Sequence, residues 1–462
     1  MKKNNFKNLL GILFILIINN LIKAQTNVST LELLLFKKII NQREADSLKT
    51  LYEFNTKEIH QNKNFTIGIE FRPRTEFRNG YRQLPNDTAT PAFFTSQRSR
   101  INITYTQNKF KFHTSIQDLR VWGQYGQTSI TGSLNVFQAF VDQDLTDHFT
   151  IRLGRQTVEL DNGRLFSAAN WSQAGRAHDG INLLYSKEKI NSELMSFFNQ
   201  SSENIYGTNF NPTSFSNYKS LQIHYLKINL PYNFTLTTIN SADGYQSKSA
   251  LNTLYIRGTS GSRIEFERGN LYLTMSGYYQ YGRLQSGQKI NAFYLQPEIQ
   301  YKIKKMVGRL GFEYMSGDNA TIKTSESRSF IPLYGVTWKF MGNMDYFTTF
   351  PKDTKNGGLI NPYLFLTFQV NDKFSLRTDT HLFYSQNKVL NTKEQVINPY
   401  LGFENDLSLK FKFNDISTLD FGFSCLLASK SMEIIRGGKS NTTPIWTYLI
   451  ITFNPEIFTK KW

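Results

Sequence analysis

The chain has 462 residues, and its 53 Lys and Arg against 36 Asp and Glu give a formal net charge of +17. A helical protein with several membrane spans is excluded, because each span needs about 20 consecutive apolar residues and only the N-terminus carries an apolar run of any length. An aromatic share of 15% excludes a disordered or collagen-like chain. The lone cysteine, Cys425, excludes an intrachain disulfide and a cysteine metal cluster.

Residues 1–24 read as a secretory signal peptide. Lys2, Lys3 and Lys7 form its basic start, residues 9–18 its apolar stretch, and Ala24 sits at a plausible cleavage site. Four lysines and no acids leave with it, so the exported chain stays basic. Residues 25–62 read as a periplasmic helical segment. Within it, residues 28–49 carry Leu31, Leu34, Leu35 and Ile39 at helical spacing behind a Ser29 or Thr30 cap. A packing or plug-like role is expected for this helix, with partner docking as the alternative.

From residue 63 to residue 462 the period changes to two. Ile67, Ile69 and Phe71 alternate with Gly68, Glu70 and Arg72; Phe403, Leu407, Leu409 and Phe411 alternate with Glu404, Asp406, Ser408 and Lys410. These stretches run for about ten residues, the length a tilted strand needs to cross a bilayer. Short turns separate long loops in alternation, and counting between them predicts about 18 strands. The fold class read from the sequence is therefore all-β: a transmembrane antiparallel β-barrel of about 18 strands, preceded by the short helical segment. A soluble sandwich would not explain the loop asymmetry, nor the charges along one face of so many strands. The expected location is the bacterial outer membrane, with membrane lipids and the barrel-assembly machinery as partners.

The polar faces hold the candidate site. β-alternation turns Glu70, Arg72, Arg74, Glu76 and Arg78 of the first strand inward, then Arg98 and Arg100 of the second and Arg152 of the fifth. Arginines at one height in a narrow bore make a ring of fixed positive charge that selects anions. Asp118 and Arg120 share a face with Phe112 and Ile116, so the third strand either carries a bulge or places this pair at the mouth.

The ordered series Arg72-Pro73-Arg74-Thr75-Glu76, Gln97-Arg98-Ser99-Arg100, Gln117-Asp118-Leu119-Arg120, Gly154-Arg155-Gln156, Gly163-Arg164-Leu165, Asn170-Trp171 and Gly175-Arg176-Ala177-His178-Asp179-Gly180 resembles the alginate-export family of outer-membrane porins. So do Leu333-Tyr334-Gly335 and Gly342-Asn343-Met344-Asp345-Tyr346-Phe347 further on. The resemblance implies a monomeric 18-stranded barrel that passes an anionic polysaccharide through an Arg-lined constriction. It places Arg72, Arg74, Arg98, Arg100, Arg120, Arg155, Arg164 and Arg176 at basic positions and Asp118 and Asp179 at tethering acids. It also implies that residues 161–180 fold inward. Small anions are the other expected cargo. No cofactor, metal, catalytic residue or nucleic-acid partner is expected: the six histidines lack H-x-x-x-H spacing and no nucleophile elbow occurs. A TonB-coupled transporter would need a longer plug domain. The rival readings are a plugged structural or adhesive barrel and, further off, an outer-membrane hydrolase.

Overall fold

The alternation of the sequence becomes a run of antiparallel hairpins. The computed structural model describes residues 63–462 except 129–131, 201, 204, 207–217, 248–249 and 251. The signal peptide and the helical segment lie outside the described residues. The strands are β1 (Lys63–Asn79), β2 (Ala92–Gln107), β3 (Phe110–Val121), β4 (Leu134–Asp144), β5 (Phe149–Gln156), β6 (His178–Lys187), β7 (Ile190–Phe198), β8 (Ser220–Asn229), β9 (Phe234–Gln246), β10 (Leu254–Arg268), β11 (Leu271–Gly282), β12 (Lys289–Ile290), β13 (Ala292–Ile303), β14 (Met306–Met315), β15 (Glu326–Ser327), β16 (Leu359–Gln369), β17 (Phe374–Tyr384), β18 (Tyr400–Lys412), β19 (Ser417–Ala428), β20 (Ile445–Phe453) and β21 (Glu456–Lys461). β12 and β15 form a small parallel pair of their own.

Eighteen strands close the barrel: β1 to β11, β13, β14 and β16 to β20, with β1 pairing both β2 and β20. The seam runs antiparallel from Phe71 opposite Phe453 to Asn79 opposite Ile445. Pro455 interrupts the last strand, since it has no N–H to give the ladder. Its carbonyl still accepts from Ile69 N at 3.0 Å, and β21 resumes the pairing with β1. Closure removes every free sheet edge, which a lipid environment requires.

Across the belt the strands send apolar residues outward, and most send polar residues inward; β8 differs, burying Leu221, Ile223 and Tyr225 on its inner face. Ile101, Leu153, Leu194, Leu310 and Leu364 are exposed on the outer surface, as a lipid-facing band requires. Short turns close one end. Asn108 and Gly269 take the left-handed backbone that a two-residue hairpin demands. The nine connections at the other end are longer, which marks it as extracellular in barrels of this kind. One of them carries α1 (Lys430–Arg436), whose start is capped by Ser429 accepting from Met432 N. Two others, residues 157–177 and 316–358, turn into the lumen and supply much of the buried apolar core, including Leu165, Phe166, Tyr334, Phe340, Met344 and Tyr346.

Candidate functional site

The inward arginines of β1 and β2 hold the first of these loops. A loop inside a barrel has carbonyl oxygens with no strand partner, and a guanidinium offers five N–H donors to match them. Arg72 donates to the carbonyls of Asn170, Trp171 and Ser172 at 3.0, 3.1 and 2.8 Å. Arg98 reaches the same carbonyls of Asn170 and Ser172, at 3.0 and 3.1 Å, and Nε donates to Glu70 at 2.9 Å. Arg100 donates to Asn170 Oδ1 at 3.1 Å and to Gln117 Oε1 at 2.7 Å. Arg74 is held by Glu76 at 3.0 Å and lies 4.7 Å above the Trp171 ring. Four of the arginines expected to line a bore therefore clamp residues 170–173.

Arg164 carries the far end of that loop. Its Nε lies 2.7 Å from Glu313 Oε1 of β14, and its Nη1 donates to the Val336 carbonyl at 2.9 Å. Arg176 donates to the carbonyls of Tyr334 and Gly335. Both contacts reach the second loop, and backbone bonds join the two directly. Tyr334 N donates to Leu165 O at 2.9 Å and Val336 N to Gly163 O at 3.1 Å. The approach is so close that a Cβ on Gly335 would stand 1.8 Å from the Arg164 carbonyl oxygen. Burial holds the Arg176 guanidinium below its ordinary range.

The second loop is pinned to the wall at β18 and β9 by side chains that accept from its backbone and from Tyr334. Glu404 Oε1 takes Met344 N at 2.7 Å and Asp406 Oδ2 takes Asn343 N at 3.0 Å. Gly342 is left-handed here, and a Cβ would sit 2.3 Å from Glu404 Oε1. Tyr334 Oη donates to Asp243 at 3.0 Å, and Arg257 neutralises that carboxylate from β10. Asp345 is paired with Arg82 at 3.0 Å; burial pushes its carboxyl up while Arg82 opposes the shift.

The remaining residues singled out in the sequence go elsewhere. Arg152 pairs with Asp142 at 2.6 Å on the lower wall, toward the short turns. Arg120 with Asp118, and Arg155 with Asp179, form pairs at 2.6 Å near the long-loop rim. Both pairs take outward positions. Ser115 and Gln117 are the buried, inward residues of β3, while His178 and Asn182 are those of β6. No bulge in β3 reverses this; the extra residue sits on β4, between Val136 and Gln138. The outer face turns polar at the rim because the apolar band has ended.

Between the loops lies a cavity of about 700 Å³, lined by Arg82, Arg176, Tyr334, Trp338 and Asp345 and reaching the rim at Asp179. Below it, the wall cations are matched by carboxylates: Arg309 with Glu298 at 2.7 Å, Arg263 with Glu265 and Arg377 with Asp379 at 2.6 Å each. Lys339 differs. It is exposed at the tip of the second loop, donates to the Asn162 carbonyl at 2.7 Å, and forms no ion pair among the described residues. Water reaches its side chain, but the surrounding lumen walls desolvate the ammonium and lower it below the ordinary lysine range; Glu159 opposes this, and Arg309, Arg263 and Arg377 add to it. No group of His, Cys, Asp or Glu among the described residues is arranged to hold a metal ion.

An 18-stranded antiparallel barrel with an apolar belt and long loops folded into its lumen is an outer-membrane porin. Residues 63–429 match the alginate export family, and the chain belongs to it. Solved porins share the fold at low identity. OccAB1 of Acinetobacter baumannii is 12% identical with a TM-score of 0.59, over 85% of this chain and 97% of its own. OccAB4 of the same organism is 11% identical with a TM-score of 0.57, over 86% and 99%. OccK2 (OpdF) of Pseudomonas aeruginosa, solved in complex with glucuronate, is 10% identical with a TM-score of 0.58, over 87% and 100%. No curated protein sequence matches the chain.

Sequence reading does not reach Asp243, Arg257, Glu313 and Lys339, and it shows Glu404 and Asp406 as inward residues without their part in docking the second loop. One signal was available. Residues 330–347 contain Phe330, Ile331, Leu333, Tyr334, Trp338, Phe340, Met341, Met344, Tyr346 and Phe347. A loop that apolar has to be packed, because in water it would expose a large sticky patch.

Proposed function

We propose that the chain is a passive channel for anionic solutes, acidic saccharides among them, working as a single barrel without catalysis. The observation that carries this reading is the set of inward cations at and below the cavity that lack a carboxylate of their own. Arg176 in the cavity and Lys339 below it form no ion pair among the described residues, while Arg72, Arg98 and Arg100 share the single carboxylate Glu70. Fixed charge in a low-dielectric bore focuses the field and raises the local concentration of the opposite ion. The paired cations of the lower wall keep each contact weak enough for release. The fold shared with a porin solved with glucuronate fits a carboxylate-bearing solute.

Reversal potential across a salt gradient, with purified protein in a planar bilayer, tests this. The expected value lies toward the chloride potential. A value toward the cation potential would discard the anionic cargo and keep the channel.

A further inference from the structure

The two inward loops meet at their aromatic tips. Trp171 and Trp338 lie with ring centroids 5.6 Å apart and planes inclined at 37°. Trp171 is braced on its other sides. Arg74 covers one face at 4.7 Å, and Trp446 and Tyr448 of β20 meet it edge-on at 5.9 and 5.7 Å. Its backbone carbonyl is taken by Arg72. Trp171 is the aromatic ring paired with Trp338 among the described contacts, and both rings are half-buried and packed against the apolar core.

The position of Trp338 along the barrel axis follows from its neighbours. Thr337 and Trp338 line the cavity at the long-loop end. The next residue, Lys339, already feels Arg309, Arg377 and Arg263. Arg309 and Arg377 stand near the short-turn starts of β14 and β17, and Arg263 lies in the lower half of β10. One step along the chain therefore passes from the cavity above to the lower lumen. Trp338 stands at the partition between them.

We propose that Trp338, backed by the fixed Trp171, sets the bore of the passage and so the size of solute that passes. Trp171, braced by the wall, is the anvil, and Trp338 is the ring set against it. A large apolar ring at a constriction excludes bulk by its volume and disfavours a continuous water column by dewetting. This rests on the channel reading above.

The test uses the full-length protein in bilayers and in liposomes, comparing wild type with Trp338→Ala and Trp338→Phe. Trp122→Ala, at the outer rim, serves as control. Single-channel conductance is read together with liposome swelling in glucose, sucrose and raffinose. Conductance should rise severalfold in Trp338→Ala and raffinose should become permeant, with Trp338→Phe near wild type and Trp122→Ala unchanged. A silent wild type with a conducting Trp338→Ala supports the proposal equally. Equal conductance and equal cutoff in wild type and Trp338→Ala overturn it while leaving the channel intact. Silence in both, in samples whose electrophoretic mobility shifts on heating as a folded barrel's does, overturns the channel reading and this proposal with it. Should Trp338→Ala not fold, Trp338→Leu provides the same comparison.

Discussion

Arg164 and Glu313 meet at 2.7 Å with 2% and 0% of their side chains exposed, one on an inward loop and the other on the barrel wall. Removing one partner of such a pair strands the other charge in a dry interior, at a cost of about 3–5 kcal/mol. Glu313→Gln should therefore loosen residues 157–177 while the barrel stays closed by its own ladder. Limited proteolysis of folded protein checks this: cleavage within that loop should accelerate, with barrel fragments still held together. Replacing both partners, Arg164→Met with Glu313→Gln, should restore most of the resistance, because no charge is left unpaired and the amide oxygen still accepts from Tyr294 or Asn361.

Arg98 separates holding a loop from selecting an ion. It donates to the Asn170, Ser172 and Gln173 carbonyls and is almost wholly buried. Arg98→Ala removes these bonds, leaving the Asn170 and Ser172 carbonyls to Arg72 alone and the Gln173 carbonyl unmatched at a cost of about 1–3 kcal/mol. Conductance should become larger and noisier as residues 170–173 come free. The ratio of anion to cation permeability should change little, because the lost charge faced backbone and Glu70 instead of the open lumen. A loss of anion preference at unchanged conductance would mean that Arg98 lines the path after all.

These two arginines also show how far the sequence could be read. Period-two alternation turned Arg72 and Arg98 inward correctly, and the strand count was legible because each two-residue hairpin, such as the one at Asn108, interrupts the alternation. The alternation cannot say what fills the lumen opposite an inward residue. Water and a loop's carbonyls satisfy a guanidinium equally well, so a clamp and a selectivity ring look alike in one dimension. Asp118 and Arg120 can be read only as a bulge or a place at the mouth, and Arg155 and Asp179 only through the resemblance, for a second reason: at the rim the outer face stops being apolar, and parity alone no longer separates lumen from outside. Glu404 and Asp406 were visible as inward residues, but their backbone partners, Met344 and Asn343, lie about 60 residues away.

Lys339 should carry selectivity out of proportion to a single charge. It stands near three arginines of the lower wall, its own bond is to a carbonyl, and Glu159 is the one nearby carboxylate acting on it without forming an ion pair. Lys339→Glu changes the local charge by two units beside walls whose cations are already paired. Reversal potential should move toward the cation potential by more than in the matching variant Lys410→Glu, whose lysine pairs with Asp420 at 3.5 Å on the wall. Equal shifts in the two variants would place selectivity in the overall lumen charge and remove any special role for Lys339.

Asp161 makes docking of the first loop depend on pH. It turns with a left-handed backbone and accepts from Tyr225 Oη at 3.0 Å and Tyr278 Oη at 3.4 Å. Burial raises its carboxyl above the ordinary range, Arg263 opposes the shift, and Glu265 adds to it. The docked loop thus binds the Asp161 proton more tightly than the undocked one. At pH above the docked value the ionised carboxylate weakens docking fully, and the penalty is relieved as pH falls through that value. Asp161→Asn keeps an acceptor for Tyr225, offers a donor to the Tyr278 hydroxyl, and carries no charge at any pH. Its midpoint of thermal unfolding, read from heat-dependent mobility in detergent, should exceed wild type at pH 8, with the gap narrowing at pH 4. A gap that stays constant or widens on acidification would show that the Asp161 proton is not coupled to docking.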